Sequence, residues 1–328
     1  LRTRITDLLG IEYPIICGGM FRIGRAPLAG AVSEAGGLGI ITSATFEKPE
    51  DLRKEIRLAR EITKKPIAVN INLFPSVRKM PNEEYIAILL EEDVRIVETS
   101  GRSPEPYMKV LKDNHVKVIH KVAGAKYAKT AERVGCDAVT IIGSEAGGHP
   151  GMDDIGSIVL VPQTVDAVQI PVIAGGGIAD GRGLAAMLAM GAEGIVMGTR
   201  FMATKESIIH THVKQWMTNA TESDTALIQK SIGSQSRVAK NAVAIEVLEA
   251  ESRGATLEEL LPLITGSRAV RVYNDGDVDG GIWSCGQSVG LVRDIPTVQE
   301  LIQQMVSQAK TAADKMGMCL HPLDGKKV

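Results

Sequence analysis

Val172-Ile173-Ala174-Gly175-Gly176-Gly177-Ile178, followed at one unit's distance by Gly194-Ile195-Val196-Met197-Gly198-Thr199-Arg200, decides the fold. Two apolar runs, Val172–Ala174 and Gly194–Met197, each pass directly into a glycine-rich loop. Between them Gly183–Met190 carries a helical pattern that stops at Gly191, a common C-terminal punctuation. The runs are compact and do not alternate, as strands covered on both faces should read. Strand, loop, helix and strand in that order form a βα repeat.

The same unit recurs toward the N-terminus. Further strands are predicted near Tyr13–Cys17, Leu38–Thr42, Ile67–Ile71, Val94–Glu98, Val116–His120 and Ala138–Ile142. Helical signatures lie between them. Ala26–Glu34 stops at Gly36-Gly37, Pro49–Thr63 sets Leu52, Ile56, Ala59 and Ile62 on one face, and Ala125–Val134 ends at Gly135. Eight strands with crossover helices predict an α/β chain folded as a (β/α)8 TIM barrel. A doubly wound sheet also alternates strand and helix. It would end after five or six units, and no GxGxxG follows the first strand.

After Thr199-Arg200-Phe201 the rhythm changes. Helical patterns at Asn241–Glu251 and Thr256–Ile264, without convincing strands, predict a mostly helical insertion after the eighth strand. The expected division is a barrel over residues 1–204 and 275–328, with 205–274 as a helical substrate or lid domain. The tail returns through Gly276–Gly281 and Gly286–Leu291 to a last helix from Thr297 to about Ala312, and Lys326-Lys327-Val328 should fray.

Composition narrows the function. The chain has 328 residues, 44% hydrophobic and 23% charged, as a globular protein should. Only 3% of residues are aromatic, too few for a surface that stacks single-stranded bases. Lys and Arg number 37 against 39 Asp and Glu, a net charge of −2 that recommends no polyanionic partner. Cys17, Cys136, Cys285 and Cys319 are scattered without a CxxC pair, so free thiols in a reducing compartment are expected and no metal site. The first residues, Leu1 to Asp7, lack the apolar run of a signal peptide, and no stretch approaches the ~20 apolar residues of a membrane span. A cytoplasmic location is expected, with a small-molecule substrate, no nucleic acid, no membrane, and a homodimer as the assembly to look for.

In a barrel the chemistry sits in the loops after the strands. Gly18-Gly19-Met20 follows the first strand, Gly175-Gly176-Gly177 the seventh, and Gly198-Thr199 the eighth. Glycines let backbone N–H groups approach an anion, and the seventh and eighth loops are the usual phosphate site of a barrel. Tight turns alone would also explain any one of them. The loop after strand six, Gly143-Ser144-Glu145-Ala146-Gly147-Gly148-His149-Pro150-Gly151-Met152-Asp153-Asp154, holds a histidine suited to moving a proton beside a cofactor. A purely structural loop histidine is the competing reading. Lys121, beside His120 at the end of strand five, could reach a phosphate or a flavin edge, and His120 could point into the barrel wall. Asn70 and Asn72 face one way at the end of strand three. His115, His210, His212 and His321 lack partners at metal spacing, no predicted strand leads into a GxSxG elbow, and there is no HExxH. Cys285, beside Trp283 and Ser284, reads as a small packing residue.

Taken together, these segments resemble the FMN-dependent nitronate monooxygenase family, formerly 2-nitropropane dioxygenases. Its relatives include an NADH:quinone reductase and an FMN-dependent enoyl-acyl-carrier-protein reductase. The resemblance runs from Arg4-Ile5-Thr6-Asp7-Leu8-Leu9-Gly10 and Gly18-Gly19-Met20 through Val69-Asn70-Ile71-Asn72 and Glu145-Ala146-Gly147-Gly148-His149. It ends in Ala174-Gly175-Gly176-Gly177-Ile178-Ala179-Asp180-Gly181, Met197-Gly198-Thr199-Arg200-Phe201 and Gly276-Asp277-Val278-Asp279-Gly280-Gly281. It implies FMN, with phosphate on Gly176, Gly177, Gly198 and Thr199 near Gln287 and Ser288. The ring would lie against Gly19 and Met20, with Asn70 and Lys121 at its polar edge. Gly18, Glu145, Gly147, Gly148, Gly175 and Met197 complete the implied cofactor set, and His149 matches the catalytic histidine. The implied activity is oxidation of alkyl nitronates by oxygen. The alternative is an NADH- or NADPH-dependent reductase of quinones or enoyl thioesters, and a further one is a flavin- or phosphate-binding barrel without catalysis.

Overall fold

A computed structural model of the chain describes residues 1–74, 80–266 and 268–320, so His321 and Lys326–Val328 lie outside the described residues. Eight strands form a closed parallel barrel in sequence order: β1 (Ile15–Cys17), β2 (Leu38–Thr42), β3 (Ile67–Leu73), β4 (Ile96–Gly101), β5 (Lys117–Val122), β6 (Ala138–Ile142), β7 (Val172–Gly175) and β8 (Gly194–Met197). β8 closes on β1 through the pairs Ile15–Ile195, Ile16–Val196 and Cys17–Met197. Helix α1 (Arg4–Leu9) precedes β1. The crossovers are α2 (Ala26–Glu34), α3 (Pro49–Ile62), α4 (Asn82–Glu91), α5 (Glu105–Asp113), α6 (Ala125–Arg133), α7 (Ser157–Val165) and α8 (Gly181–Ala189). This is the (β/α)8 TIM barrel that the sequence predicts.

The apolar strands split into two layers by parity. Ile16, Leu38, Ile40, Ala68, Ile96, Ile119, Ala138, Ile173 and Val196 fill the barrel, together with Ile5 and Leu9 of α1. Their neighbours Ile15, Cys17, Ile41, Val69, Val97, Val118, Val139, Ala174 and Ile195 pack between strands and helices. Because both faces are apolar, the period of two is invisible in the sequence. α1 is held by a capping box of Thr3 and Thr6 and buries Ile5 and Leu9. Each such burial is worth ~1.5–3 kcal/mol. The methyl of Ile5 lies against Gly194, at the start of β8, so α1 covers the N-terminal end of the barrel. The C-terminal end of the strands remains for the site.

Two strands differ usefully from expectation. β4 starts at Ile96 rather than Val94, because Asp93 turns at φ 54° and the Val94 N–H bonds back to the Leu89 carbonyl, closing α4. β4 also runs on to Gly101, so Glu98 sits inside the strand and not at its end. β3 runs on to Leu73, which puts Asn70 and Asn72 both within it.

Beyond β8 come α9 (Thr199–Met202) and α10 (Thr211–Asn219), then β9 (Thr225–Ile228) and β10 (Ser236–Ala239). Helices α11 (Ala242–Ser252), α12 (Leu257–Ile264) and α13 (Ala269–Asp275) follow. The antiparallel β9–β10 hairpin corrects the expectation of an insertion without strands. Its runs, Thr225-Ala226-Leu227-Ile228 and Ser236-Arg237-Val238-Ala239, are too short for a periodic signal. The last helix, α14 (Val298–Leu320), continues past Ala312.

Candidate active site

The β1, β7 and β8 side of the mouth is built from main chain. Gly176 and Gly177 both take positive φ, 103° and 72°, which an L side chain rarely adopts. Among the described residues the N–H groups of Gly176, Gly177 and Thr199 have no hydrogen-bond acceptor. Val196 forms the floor, since a Cβ at Gly18 or at Gly175 would stand 2.9 or 2.6 Å from its methyls. Met20 reaches across to Gly198. The tail closes this side: the Gly286 N–H donates to the Thr199 hydroxyl at 2.9 Å, and the Gln287 N–H to the Glu145 carbonyl at 2.9 Å. Ser288 is buried beside Gln287.

The opposite side is built from side chains on β3, β4 and β5. Asn70 Nδ2 donates to Glu98 Oε2 at 2.7 Å, and Lys121 Nζ lies 3.1 Å from Glu98 Oε1. Glu98 is 1% exposed, so its charge is held inside the barrel by these two partners. On the neighbouring β2, the Thr42 hydroxyl is buried without a partner among the described residues. The two sides meet at β1, where a Cβ on Gly19 would strike Asn70 and Glu98 at 2.7 and 2.9 Å.

Above the mouth stands the loop after β6. Glu145 receives the Ser157 N–H at 2.9 Å and its hydroxyl at 3.0 Å, so its carboxylate caps α7. Gly147 packs against Cys285 and Gly286, and Gly148, at φ 81°, delivers His149. The imidazole stands 5.4 Å, centroid to centroid, from the ring of Phe74. The residue is exposed, and desolvation by the protein around the ring lowers its pKa. His149 is thus mainly neutral at pH 7.

Gly18, Gly19, Met20, Asn70, Lys121, Gly175, Gly176, Gly177, Gly198, Thr199 and Gln287 are brought to one mouth, with the Glu145–His149 loop over it. Met197 is set apart: its side chain belongs to the layer between barrel and helices. His120 also faces away from the mouth, buried with Nδ1 2.8 Å from the Thr99 hydroxyl, and burial pushes its pKa down to about 4. His210 accepts the His212 N–H and caps α10. Cys17, Cys136 and Cys285 are buried free thiols whose pKa burial raises, so they pack and do not react. Among the described residues no cluster could hold a metal and no helix is long and apolar enough to cross a membrane.

Sequence reasoning missed Glu98, Ser157, Phe74 and Arg237. A carboxylate inside the otherwise apolar run Ile96-Val97-Glu98 was the available signal for the first. Ser157 and Arg237 act through contacts with the β6 loop that no local pattern announces.

A parallel eight-stranded barrel with a rim of unshared main-chain N–H groups, a buried polar arc and a histidine loop at one mouth defines a class: the (β/α)8 barrel enzyme. The nitronate monooxygenase family profile matches residues 2–308, and the chain belongs to that family. It is an oxidoreductase. A (3aS,4S,5R,7aS)-5-hydroxy-7a-methyl-1-oxo-octahydro-1H-indene-4-carboxyl-CoA dehydrogenase of Rhodococcus jostii is 33% identical, over 97% of this chain and 98% of that protein. A "probable nitronate monooxygenase" of Staphylococcus saprophyticus is 32% identical, over 94% and 98%. The structure of FabK from Thermotoga maritima superposes with a TM-score of 0.90 at 41% identity, covering 98% of this chain and 100% of that one.

Proposed function

We propose that the chain is an FMN-dependent reductase of an α,β-unsaturated acyl thioester, with NADH or NADPH as electron donor. The residues present fit FMN. The unshared N–H groups of Gly176, Gly177 and Thr199 suit a phosphate. Gly18 and Gly19 leave the backbone of β1 open to a flat ring, and Asn70 and Lys121 offer donors to its polar edge. The Glu145 carboxylate is occupied by Ser157, so Glu145 holds its loop and leaves the phosphate to the main chain. When bound, FMN supplies hydride transfer between the nicotinamide and the β-carbon of the substrate.

One observation carries the substrate class: the charges that face the mouth are already balanced. Lys121 is paired with Glu98, and His149 is mainly neutral. A nitronate anion would find the Lys121 cation engaged, whereas a neutral thioester carbonyl needs only a donor. His149, as neutral imidazole, supplies that hydrogen bond and stabilises the negative charge that develops on the carbonyl oxygen. The Rhodococcus jostii relative, by name a carboxyl-CoA dehydrogenase, supports a thioester. Because His149 protonates only below the ordinary imidazole range, turnover should hold level at neutral pH and change only on the acid side.

The second reading, oxidation of an alkyl nitronate by oxygen, is favoured by the family profile itself. An anaerobic visible spectrum of the protein loaded with FMN separates the two. Bleaching by NADH or NADPH, with colour restored by crotonyl-CoA, is the expected result. Bleaching by a nitronate alone, with no response to either nicotinamide, overturns the thioester reading.

A further inference from the structure

The hairpin of the insertion is joined to the loop that carries His149. The Gly148 N–H donates to the Arg237 carbonyl at 2.9 Å and the Arg237 N–H to the Gly148 carbonyl at 2.7 Å, a reciprocal antiparallel pair. The same residue grips the loop a second time with its side chain, Nε donating to the Ser144 carbonyl at 2.8 Å. The other arm of the guanidinium, Nη1, is anchored on the Thr225 hydroxyl of β9 at 3.1 Å. Further along, Gln235 Nε2 donates to Asp154 Oδ1 at 2.6 Å and Lys230 lies 3.1 Å from Asp154 Oδ2. On its far side β10 bridges to the tail through Val238 and Ser284. Loop, hairpin and tail therefore form one hydrogen-bonded seam, and Arg237 is the residue that touches both ends of Ser144–Gly148.

We propose that Arg237 is the positioning residue for His149. The proposal rests on His149 being the group that acts on the substrate, but not on which substrate it is. His149 follows Gly148 directly, and Gly148 at φ 81° offers little rotational resistance of its own. A loop with five glycines or alanines among its first nine residues cannot set a ring by local packing. Arg237 supplies the restraint from outside, with a planar, three-point grip: its main chain on Gly148, Nε on Ser144, Nη1 on Thr225. Arg237 is 8% exposed, so losing the guanidinium also leaves the Ser144 carbonyl without its donor in a crowded place. The insertion thus works as a fixed brace on the active-site loop.

A double-mutant cycle of Arg237→Met and His149→Ala on the FMN-loaded protein tests this. The acceptor assay uses whichever compound, crotonyl-CoA or nitronate, turns over. Arg237→Met alone should lower kcat by ~10–10²-fold, the range of a small misplacement of a reacting group, with KM little changed. In the His149→Ala background it should lower kcat no further, because a residue that acts only through His149 has nothing left to position. A second readout needs no turnover: acylation of His149 by diethyl pyrocarbonate, followed at 240 nm and corrected with His149→Ala, should change in rate several-fold in Arg237→Met. Arg237→Lys, which restores one donor, should recover part of both losses. Should Arg237→Met fail to fold, Thr225→Val enters the same cycle with a smaller effect in the same direction. Equal losses of kcat in both backgrounds, or unchanged acylation with unchanged kcat, would overturn the proposal. Failure of the thioester reading alone would leave the cycle and the acylation result standing.

Discussion

Where β7 and β8 end, the mouth is lined by main chain, with Gly176 and Gly177 at positive φ and the Thr199 N–H unshared. Where β3, β4 and β5 end, it is lined by side chains, with Asn70 and Lys121 converging on a carboxylate that is 1% exposed. A main-chain rim presents donors without carrying charge and is suited to an anion of fixed shape. A side-chain arc carries charge that can be balanced, and here Glu98 balances Lys121. In the proposed function the first side holds the phosphate and the second sets the electrostatics of the ring.

Replacing the group that stands above both sides should sharpen this comparison most. His149→Ala should lower turnover by the ~10²–10⁴-fold of a lost proton-handling or polarising group. Flavin retention, measured by fluorescence titration, should stay near wild type because both sides are intact. Loss of flavin along with activity would make the loop part of the cofactor site.

A smaller effect comes from unbalancing the arc. Glu98→Gln leaves Lys121 without its counter-ion and should cost about 3 kcal/mol of stability, the lower end for breaking a buried pair, since Lys121 is partly exposed. Urea unfolding reads this, and Glu98→Gln with Lys121→Met should regain much of it. An unfolding midpoint unchanged by Glu98→Gln would mean that the two charges are independent.

The rim should show the smallest change. Gly176→Ala forces a Cβ onto φ 103°, 2.8 Å from the Ser157 hydroxyl, a strain of ~1–3 kcal/mol. It should appear as weaker FMN binding together with a lower thermal midpoint. FMN affinity equal to wild type would break the assignment of the main-chain side to the phosphate.

The rim was legible because glycine writes its function in its own letter: three consecutive glycines after a strand signal a backbone that approaches something closely. The arc was half legible. Asn70 and Lys121 are polar residues near the predicted ends of their strands, while Glu98, read as the last residue of its strand, sits inside β4. The register that sets Glu98 opposite Asn70 could not be read from either run alone. Arg237 was not legible at all, because the strand that carries it has four residues and pairs with a loop far away in sequence.

The sequence by itself determined the βα rhythm, the eight strands, the glycine loops and the histidine after the sixth strand, since these are local patterns of hydrophobicity and backbone freedom. Tertiary structure decided which face of each strand looks into the barrel, because inward parity follows from closure of β8 on β1 and both faces are apolar. It decided that Glu98 ties Asn70 to Lys121, and that Arg237 reaches Ser144 and Gly148. Those contacts depend on the register between elements, which free energy summed over the whole fold selects and no single segment encodes.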